Sequence, residues 1–196
     1  MAPIPIELPK PGYAGTPANI DWSQVEKPSS KPRGPFLAPV GVTNVAKGKK
    51  VTSSEKEPLA GDLQMITDGD KKQSDFSCVA LGPGLQQVTI DLGAPHNIYA
   101  ILFWHYHNLI AYYCVIVQTA DDAAFTRNVQ THFNNDRENM AKLGAGKDMI
   151  YLENYQGKLV DAKGARGRYV RLYSYGNNTN DLNHYIEVEV FGIPAK

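Results

Sequence analysis

Val88-Thr-Ile-Asp-Leu92 alternates apolar and polar residues, which is the pattern of a strand with one buried face. The same texture continues along the chain, and turn residues such as Gly93-Ala-Pro95 separate the apolar stretches. No segment of the sequence keeps a 3.6-residue period beyond a short turn. Many short strands divided by turns are typical of an antiparallel sandwich or barrel, so we predict an all-β fold. The other predicted strands are Ile98–His107, Tyr112–Thr119, Arg168–Tyr173 and Tyr185–Phe191.

The composition of the 196 residues is that of an ordinary globular protein, with 42% hydrophobic and 20% charged residues. Twenty basic residues balance twenty acidic ones, which argues against a nucleic-acid binder. The longest wholly apolar run, Ile98–Trp104, is far shorter than the roughly 20 residues of a membrane span, so we expect a soluble protein. The opening Met-Ala-Pro-Ile-Pro lacks the features of a secretory signal; either the protein is cytosolic or its signal has been removed.

Prolines divide the chain into two parts. Nine of the 13 prolines lie in residues 1–40. Because proline has no backbone N–H to donate, this part of the chain can form neither a long helix nor a central strand. We predict an extended arm over 1–40 and a β-sandwich domain over 41–196. The arm also carries large apolar residues, among them Ile4, Trp22 and Phe36, so we expect it to be partly docked on the domain.

The two cysteines leave their bonding state open. Cys78 and Cys114 have a spacing that fits neither a zinc knuckle nor a redox pair. Two interpretations stay open: one disulfide, which an exported protein permits, or two small buried hydrophobic residues.

Six short motifs, in the same order along residues 41–193, resemble those of discoidin domains, which are also called factor V/VIII type C domains. The resemblance implies an antiparallel eight-stranded jelly-roll β-sandwich of the galactose-binding-like type. Bacterial domains of this type are similar to family-thirty-two carbohydrate-binding modules, which are usually attached to exported glycan-degrading enzymes, whereas other relatives bind phospholipid or protein. The motifs are Asn44–Ser54, Thr67–Asp70, Val88–Gly93, Val117–Asp122, Arg168–Leu172 and Glu187–Gly192.

Asp68-Gly-Asp70 places two carboxylates around a glycine, in a tight loop with the hard oxygen ligands that calcium prefers. Taken alone, the same residues are equally an ordinary Asp-Gly turn with solvated acids. The resemblance implies one structural calcium ion, held by Asp68, Asp70, the Met65 carbonyl, the Ser74 hydroxyl and Glu187 of the final strand. One extra residue between Asp70 and Ser74 departs from the family pattern.

Phe103-Trp-His-Tyr-His-Asn108 is the most unusual stretch of the chain. Because side chains alternate along a strand, we expect His105 and His107 to share one face and Trp104 and Tyr106 the other. Two histidines so placed chelate a transition metal only with a third ligand, for which His132, His184 and Asp136 are candidates. Alternatively, the two histidines are partly buried and hydrogen-bonded to neighbouring loops.

The same stretch and an asparagine-rich loop carry the groups that recognise sugars. Aromatic rings stack on the C–H faces of sugars, and amides and imidazoles exchange hydrogen bonds with hydroxyls. The resemblance places ligand contacts in loops at one end of the sandwich, which correspond to residues 55–62, 105–111 and 175–184. The asparagines of the last loop also fit simple turn chemistry. The candidate ligand-binding residues are Glu57, Trp104, His105, Tyr106, His107, Asn108, Asn178, Asn180, Asp181 and His184.

A third polar stretch, Phe133–Asn139, precedes Gly144-Ala-Gly-Lys147 in a region longer than a hairpin needs, which is typical of a functional loop. Its glycines lack the spacing of a phosphate-binding loop, and the chain has no Gly-x-Ser-x-Gly nucleophile elbow.

The sequence therefore predicts a non-catalytic carbohydrate-binding module with one structural calcium. Its partner is a glycan or polysaccharide, and it is part of a larger protein that is extracellular or periplasmic. The alternatives are a metal-dependent enzyme that acts on polysaccharide through His105 and His107, and a protein-interaction or adhesion domain with exposed aromatic residues.

Overall fold

A computed structural model of the chain describes residues 1–11, 17, 19–27, 29, 31–72, 77–107 and 109–195. Within these residues the secondary structure consists of β-strands and two short 3-10 helices, Trp22–Gln24 and Leu63–Thr67. The eleven strands in this part of the chain are β1 (Ala2–Pro3), β2 (Leu37–Ala38), β3 (Thr43–Asn44), β4 (Val51–Ser53), β5 (Val79–Leu81), β6 (Leu85–Trp104), β7 (Ile116–Ala120), β8 (Gln130–Asn134), β9 (Lys158–Tyr175), β10 (Asn183–Tyr185) and β11 (Glu187–Pro194).

Two long strands, β6 and β9, pair with each other and form the centre of the largest sheet. Strand β4 pairs with β6 only over residues 88–90, and β11 pairs with β6 only over residues 96–104, so the two halves of β6 have different neighbouring strands. The register of β6 against β9 shifts between Asp91 and His96, where an irregularity permits a strand to bend. β9 continues to β7 and then β8. The fold is an antiparallel jelly-roll β-sandwich, which confirms the predicted all-β class, whereas the count of eight strands is not confirmed.

The main hydrophobic core lies between the two layers. It contains the alternating residues of the first predicted strand, Val88, Ile90 and Leu92, together with Phe103 and Val188, all of them almost fully buried. Burial of a large apolar side chain contributes about 1.5–3 kcal/mol, so these alternating rows supply much of the stability of the sandwich.

A second apolar cluster covers the outer side of β6 and includes the fully buried Trp104. Ile4 and Ala38 of the proline-rich segment pack in this cluster, where β1 pairs with β2. A third contact is made by Val25, which forms a parallel bridge with Ile150. The segment 1–40 thus contacts the sandwich at several places, and the domain boundary at residue 40 stays a prediction.

Gly157 makes the turn before β9 possible. Its φ is +63°, and a Cβ at this position would lie 2.6 Å from Cε2 of Trp104 and 2.7 Å from the carbonyl oxygen of Phe103. Both the backbone conformation and the close approach to the indole therefore require glycine.

Two predicted strands have different ends in the structure. The strand predicted to continue to His107 ends at Trp104, and the strand predicted to begin at Tyr112 begins at Ile116. Hydrogen bonds to distant loops replace the sheet ladder at both places, for example from Leu109 N–H to the Glu153 carbonyl oxygen. Within the described residues, no helix is long and apolar enough to cross a membrane.

Candidate functional site

Three loops meet at one end of the sandwich and enclose a cavity of about 420 Å³, which we call the first cavity. These are the segments 55–62, 105–111 and 175–184 that the resemblance associates with ligand binding. A cavity of this size is typical of small-molecule sites. Its lining consists of Ala60, Cys78, Ala80, Tyr106, Ile110, Thr179, Asn180 and His184.

The asparagine-rich loop is held rigidly by its own side chains. Oδ1 of Asn177 accepts hydrogen bonds from the backbone N–H groups of Thr179 and Asn180, at 2.8 and 3.0 Å. The Asn183 carboxamide joins the loop to the neighbouring strand end, since Oδ1 accepts from Gly176 N–H and Nδ2 donates to the Gly82 carbonyl. Turn chemistry thus accounts for Asn177 and Asn183. It also occupies Oδ1 of Asn180, which accepts from Asn177 Nδ2 and Leu182 N–H, although Asn180 is exposed at the first cavity.

His184, in the short strand β10, presents a defined hydrogen-bonding group to the first cavity. Its Nδ1 lies 3.0 Å from the Tyr112 hydroxyl. Burial, and next the nearby Glu153 carboxylate, raise the pKa of Tyr112 well above its usual value, so the phenol keeps its proton, and we assign it as the donor of this bond with Nδ1 as the acceptor. Burial, with a smaller contribution from His105, lowers the pKa of His184. The imidazole is therefore neutral at pH 7 and carries its proton on Nε2, which makes it a donor.

Tyr106 and Ile110 form the apolar part of the first cavity. The ring of Tyr106 is half-buried, and its centroid lies 6.1 Å from that of His184. A ring beside an orientable imidazole is the pairing that we expected for sugar recognition.

Trp104 and His105 have no exposed surface, so neither side chain can contact a ligand. Nδ1 of His105 lies 2.8 Å from Oε1 of Glu153, and its ring stacks on Tyr112 with a centroid distance of 4.3 Å. The indole of Trp104 donates to the Tyr155 carbonyl at 3.0 Å. We therefore leave both residues out of the proposed site. Glu153 and Tyr112, which support this end of the sandwich, were missed because nothing in their local sequence distinguishes them.

The two histidines that we expected on one face have different surroundings. His105 lies in the core, whereas His107 is 5% exposed and its Nε2 lies 3.2 Å from the Lys71 carbonyl. Two of the suggested third ligands are engaged in other hydrogen bonds. His132 is hydrogen-bonded to the Thr119 hydroxyl, and Asp136 accepts hydrogen bonds from two backbone N–H groups. Over the part of the chain that the structure describes, no three His, Cys, Asp or Glu side chains gather as they would around a metal ion.

The other predicted ligand contacts lie at different places. Glu57 and Asp181 are exposed and do not line the first cavity. Asn178 is half-buried, and its Oδ1 accepts from Ala111 N–H at 2.8 Å, so it joins two of the loops. Asn108 and Ser74 lie outside the described residues.

The two cysteines are free thiols. Cys78 is buried and lines the first cavity, and Cys114 is half-buried in another part of the molecule. Burial, followed by a hydrogen bond with Asp136, raises the pKa of Cys114 to about 12, so it is a thiol at neutral pH.

The predicted calcium loop lies against the start of β11. Oε2 of Glu187 accepts a hydrogen bond from Gly69 N–H at 3.0 Å, whereas Oε1 is buried without a hydrogen-bond partner. Burial raises the pKa of Glu187 to about 9, against the hydrogen bond from Gly69, and the carboxylates of Glu189 and Asp68 add to the effect. A carboxylate in this position is stabilised by a proton or by a cation.

Comparisons with known proteins identify the fold. No protein-family model and no curated protein matches the chain. Among solved structures, it is similar to the module CpGH89CBM32-4 from Clostridium perfringens, with 17% identity and a TM-score of 0.55 over 75% of this chain and 97% of that one. It is also similar to a fucolectin from the serum of Morone saxatilis, the striped bass, with 19% identity and a TM-score of 0.55 over 79% of this chain and 50% of the other.

A third similar structure is a family 89 glycoside hydrolase from Clostridium perfringens, with 16% identity and a TM-score of 0.55. The match covers 78% of this chain and only 15% of the hydrolase. At such identities a likeness establishes the fold and not the activity. The chain has the galactose-binding-like fold of discoidin domains and family-thirty-two carbohydrate-binding modules, which confirms the fold that the six motifs implied.

Proposed function

We propose that the chain is a non-catalytic carbohydrate-binding module that binds a glycan in the first cavity. The observation that carries this proposal is the lining of the cavity, where the Nε2–H donor of His184 and the Asn180 amide lie beside the Tyr106 ring. A sugar offers these groups a C–H face for the ring and hydroxyl oxygens for the donors.

The preformed walls of the site favour binding without a large conformational change. Tyr112 fixes the tautomer of His184, and the Asn177 side chain fixes the backbone beside Asn180. The site therefore loses little conformational freedom when a ligand binds. We expect the affinity to be weak nevertheless, because few side chains contact a small ligand and water competes for each hydrogen bond.

The similar structures support this proposal through their names, since one is a carbohydrate-binding module and another is a fucolectin. The chain also matches a small part of a glycoside hydrolase, in which a sandwich of this kind is one portion of a larger protein. We extend this to the present chain as a module of an extracellular or periplasmic multidomain protein.

The proposal includes one structural calcium ion beside β11. The chemistry of the donors fits, because Asp68, Asp70 and Glu187 are carboxylates and the Met65 carbonyl is a further hard oxygen. The orphaned Oε1 of Glu187 supports it as well, since an ion provides a partner for a buried carboxylate oxygen. Among the described residues the side chains of Asp68, Asp70 and Glu187 do not gather as three metal ligands, so the ion would draw the loop towards Glu187 when it binds. The ion would fix the loop and take no part in chemistry.

The test is a glycan array followed by calorimetric titration of the strongest binders. His184→Ala removes the fixed donor, and we expect roughly three- to tenfold weaker binding, the equivalent of one hydrogen bond. His132→Ala is the matched control, because His132 is also half-buried but does not line the first cavity. Equal affinities for all three proteins would refute the site, and the absence of binding to any glycan would refute the function.

A further inference from the structure

A second cavity, of about 470 Å³, lies between the proline-rich segment and the loop that follows β8. One wall is formed by residues of 19–24, and the opposite wall by residues of 135–140. Residues 113–114, Ile150 and Tyr175 complete the lining. The first cavity uses none of these residues. The loop belongs to the polar stretch 133–139, which the sequence identified as longer than a hairpin needs.

Backbone hydrogen bonds hold both walls of the second cavity in place. Ile150 N–H donates to the Gln24 carbonyl at 3.0 Å, and Glu26 N–H donates to the Ile150 carbonyl at 2.7 Å. On the opposite wall, the buried carboxylate of Asp136 accepts from the N–H groups of Met140 and Ala141, at 3.0 and 2.8 Å. The cavity is therefore preformed, and the docked segment is part of it.

The lining combines three carboxamides, of Asn19, Gln24 and Asn135, with the two aromatic rings of Tyr113 and Tyr175. This is again a set of planar amides and aromatic faces, which suits the hydroxyls and C–H faces of a sugar.

Asn135 carries an unused hydrogen-bond donor. The side chain is 4% exposed, and its Oδ1 accepts from Val115 N–H at 2.7 Å, which fixes the orientation of the amide. The other end of the amide, Nδ2, is buried without a hydrogen-bond partner. A buried donor without a partner is costly, and because Nδ2 has no exposed surface, an acceptor of the ligand reaches it only if this part of the wall shifts.

The charges of the lining select against acidic ligands. The lining contains three carboxylates, of Asp21, Asp136 and Glu138, and one guanidinium, that of Arg137. A uronic acid or a sulfated sugar would add a like charge to this excess of negative charge.

Both cavities border the same pair of extended segments. Tyr113 N–H donates to the Gly176 carbonyl at 3.2 Å, and Tyr175 N–H donates to the Tyr113 carbonyl at 2.8 Å. Ile110 lines the first cavity and Tyr113 the second. Two residues lie between them, so the two linings are at most about 10 Å apart along this segment.

We propose that the second cavity is a further sugar subsite of the same module, so that its ligand is a neutral oligosaccharide of several units. The inference rests on the proposed function, since it extends the glycan from the first cavity across the 110–113 segment. The proline-rich segment then forms part of the binding site, in addition to packing on the sandwich.

The experiment compares the binding of oligosaccharides of one to six units by calorimetric titration. The probes are four neutral series, from galactan, xylan, cellulose and chitin, and an acidic series of polygalacturonate fragments. Gln24→Ala and Tyr113→Ala change the second cavity only. Trp22→Ala is the matched control, because Trp22 lies in the same 3-10 helix as Gln24 and is exposed outside the cavity.

We expect the wild-type affinity for a neutral series to rise about tenfold or more with chain length, and we expect no such gain for the acidic series. Gln24→Ala and Tyr113→Ala should reduce this gain at least threefold and leave the affinity for the single sugar unchanged. An equal affinity at every length, or a gain that both variants keep, would refute the second subsite while the proposed function stands. No binding of any glycan would refute both.

Discussion

Replacement of His105 by alanine should destabilise the protein and leave glycan binding to the folded protein intact. The imidazole is fully buried and lies 2.8 Å from Glu153, whose own side chain has no exposed surface and whose Oε2 has no hydrogen-bond partner. His105→Ala leaves this carboxylate buried without its imidazole partner. Loss of one member of a buried pair typically costs about 3–5 kcal/mol in the free energy of unfolding.

For a chain of this length, each kcal/mol lowers the melting temperature by roughly 2–4 °C, so we expect a decrease of roughly 6–20 °C. A second variant separates the charge from the cavity that alanine creates. His105→Ala with Glu153→Gln removes the buried charge, and it should recover about 1 kcal/mol or more relative to His105→Ala alone.

The assay is guanidinium unfolding followed by tryptophan fluorescence, together with glycan titration at a temperature where each variant is folded. A loss below about 1 kcal/mol for His105→Ala, or no recovery with Glu153→Gln, would contradict the role of the buried pair. Weakened binding with unchanged stability would instead return His105 to the ligand site, as the sequence suggested.

Three further predictions follow from separate features of the fold. When calcium is added back to the chelated protein at about 100 times its dissociation constant, the free energy of unfolding measured by calorimetry should rise by about 2.7 kcal/mol. Glu187→Gln should abolish this increase, and a wild-type protein that shows no increase would refute the calcium site. Gly157→Ala should cost about 1–3 kcal/mol more than Gly84→Ala in urea unfolding, because both have positive φ but only Gly157 abuts the indole; equal costs would contradict the close approach. The hydrogen bond from Arg168 lowers the pKa of Asp91, so its contribution to stability is present above about pH 4 and is lost as the pH falls through the lowered pKa. Asp91→Asn should therefore lower the urea midpoint at pH 7 and leave it unchanged at about pH 2, whereas a constant difference at both pH values would contradict the ion pair.

The strands were predictable because alternation records which side chains face the core. Val88, Ile90 and Leu92 lie in the main core as their spacing required, and β11, which also alternates, pairs with residues 96–104 of β6. The continuity of β6 was not predictable. Gly93-Ala-Pro95 has the composition of a turn, but it lies within β6 beside the shift in register, where a strand passes from one layer to the other. Turn residues mark a change of direction, and only the pairing partners decide whether the strand ends there.

The histidine pair shows why the candidate site was predicted only in part. Alternation applies as long as the ladder continues, and β6 ends at Trp104, one residue before His105. The partner that buries His105 is Glu153, 48 residues away, and no local pattern indicates it. His184 was a candidate by residue type alone; its role as a donor depends on the hydroxyl of Tyr112, 72 residues away. The resemblance thus indicated the loops, whereas the orientation of each group was decided by contacts across the fold.

The position of the proline-rich segment was also predictable only in part. Prolines predicted an extended chain and apolar residues predicted contact with the domain, but neither indicates which surface is covered. The backbone hydrogen bonds that Ile150 makes with Gln24 and Glu26 decide that, because they hold 19–24 beside the loop after β8. A specificity that depends on Gln24 would therefore come from the segment, which supplies a wall of the second cavity, and not from the sandwich alone.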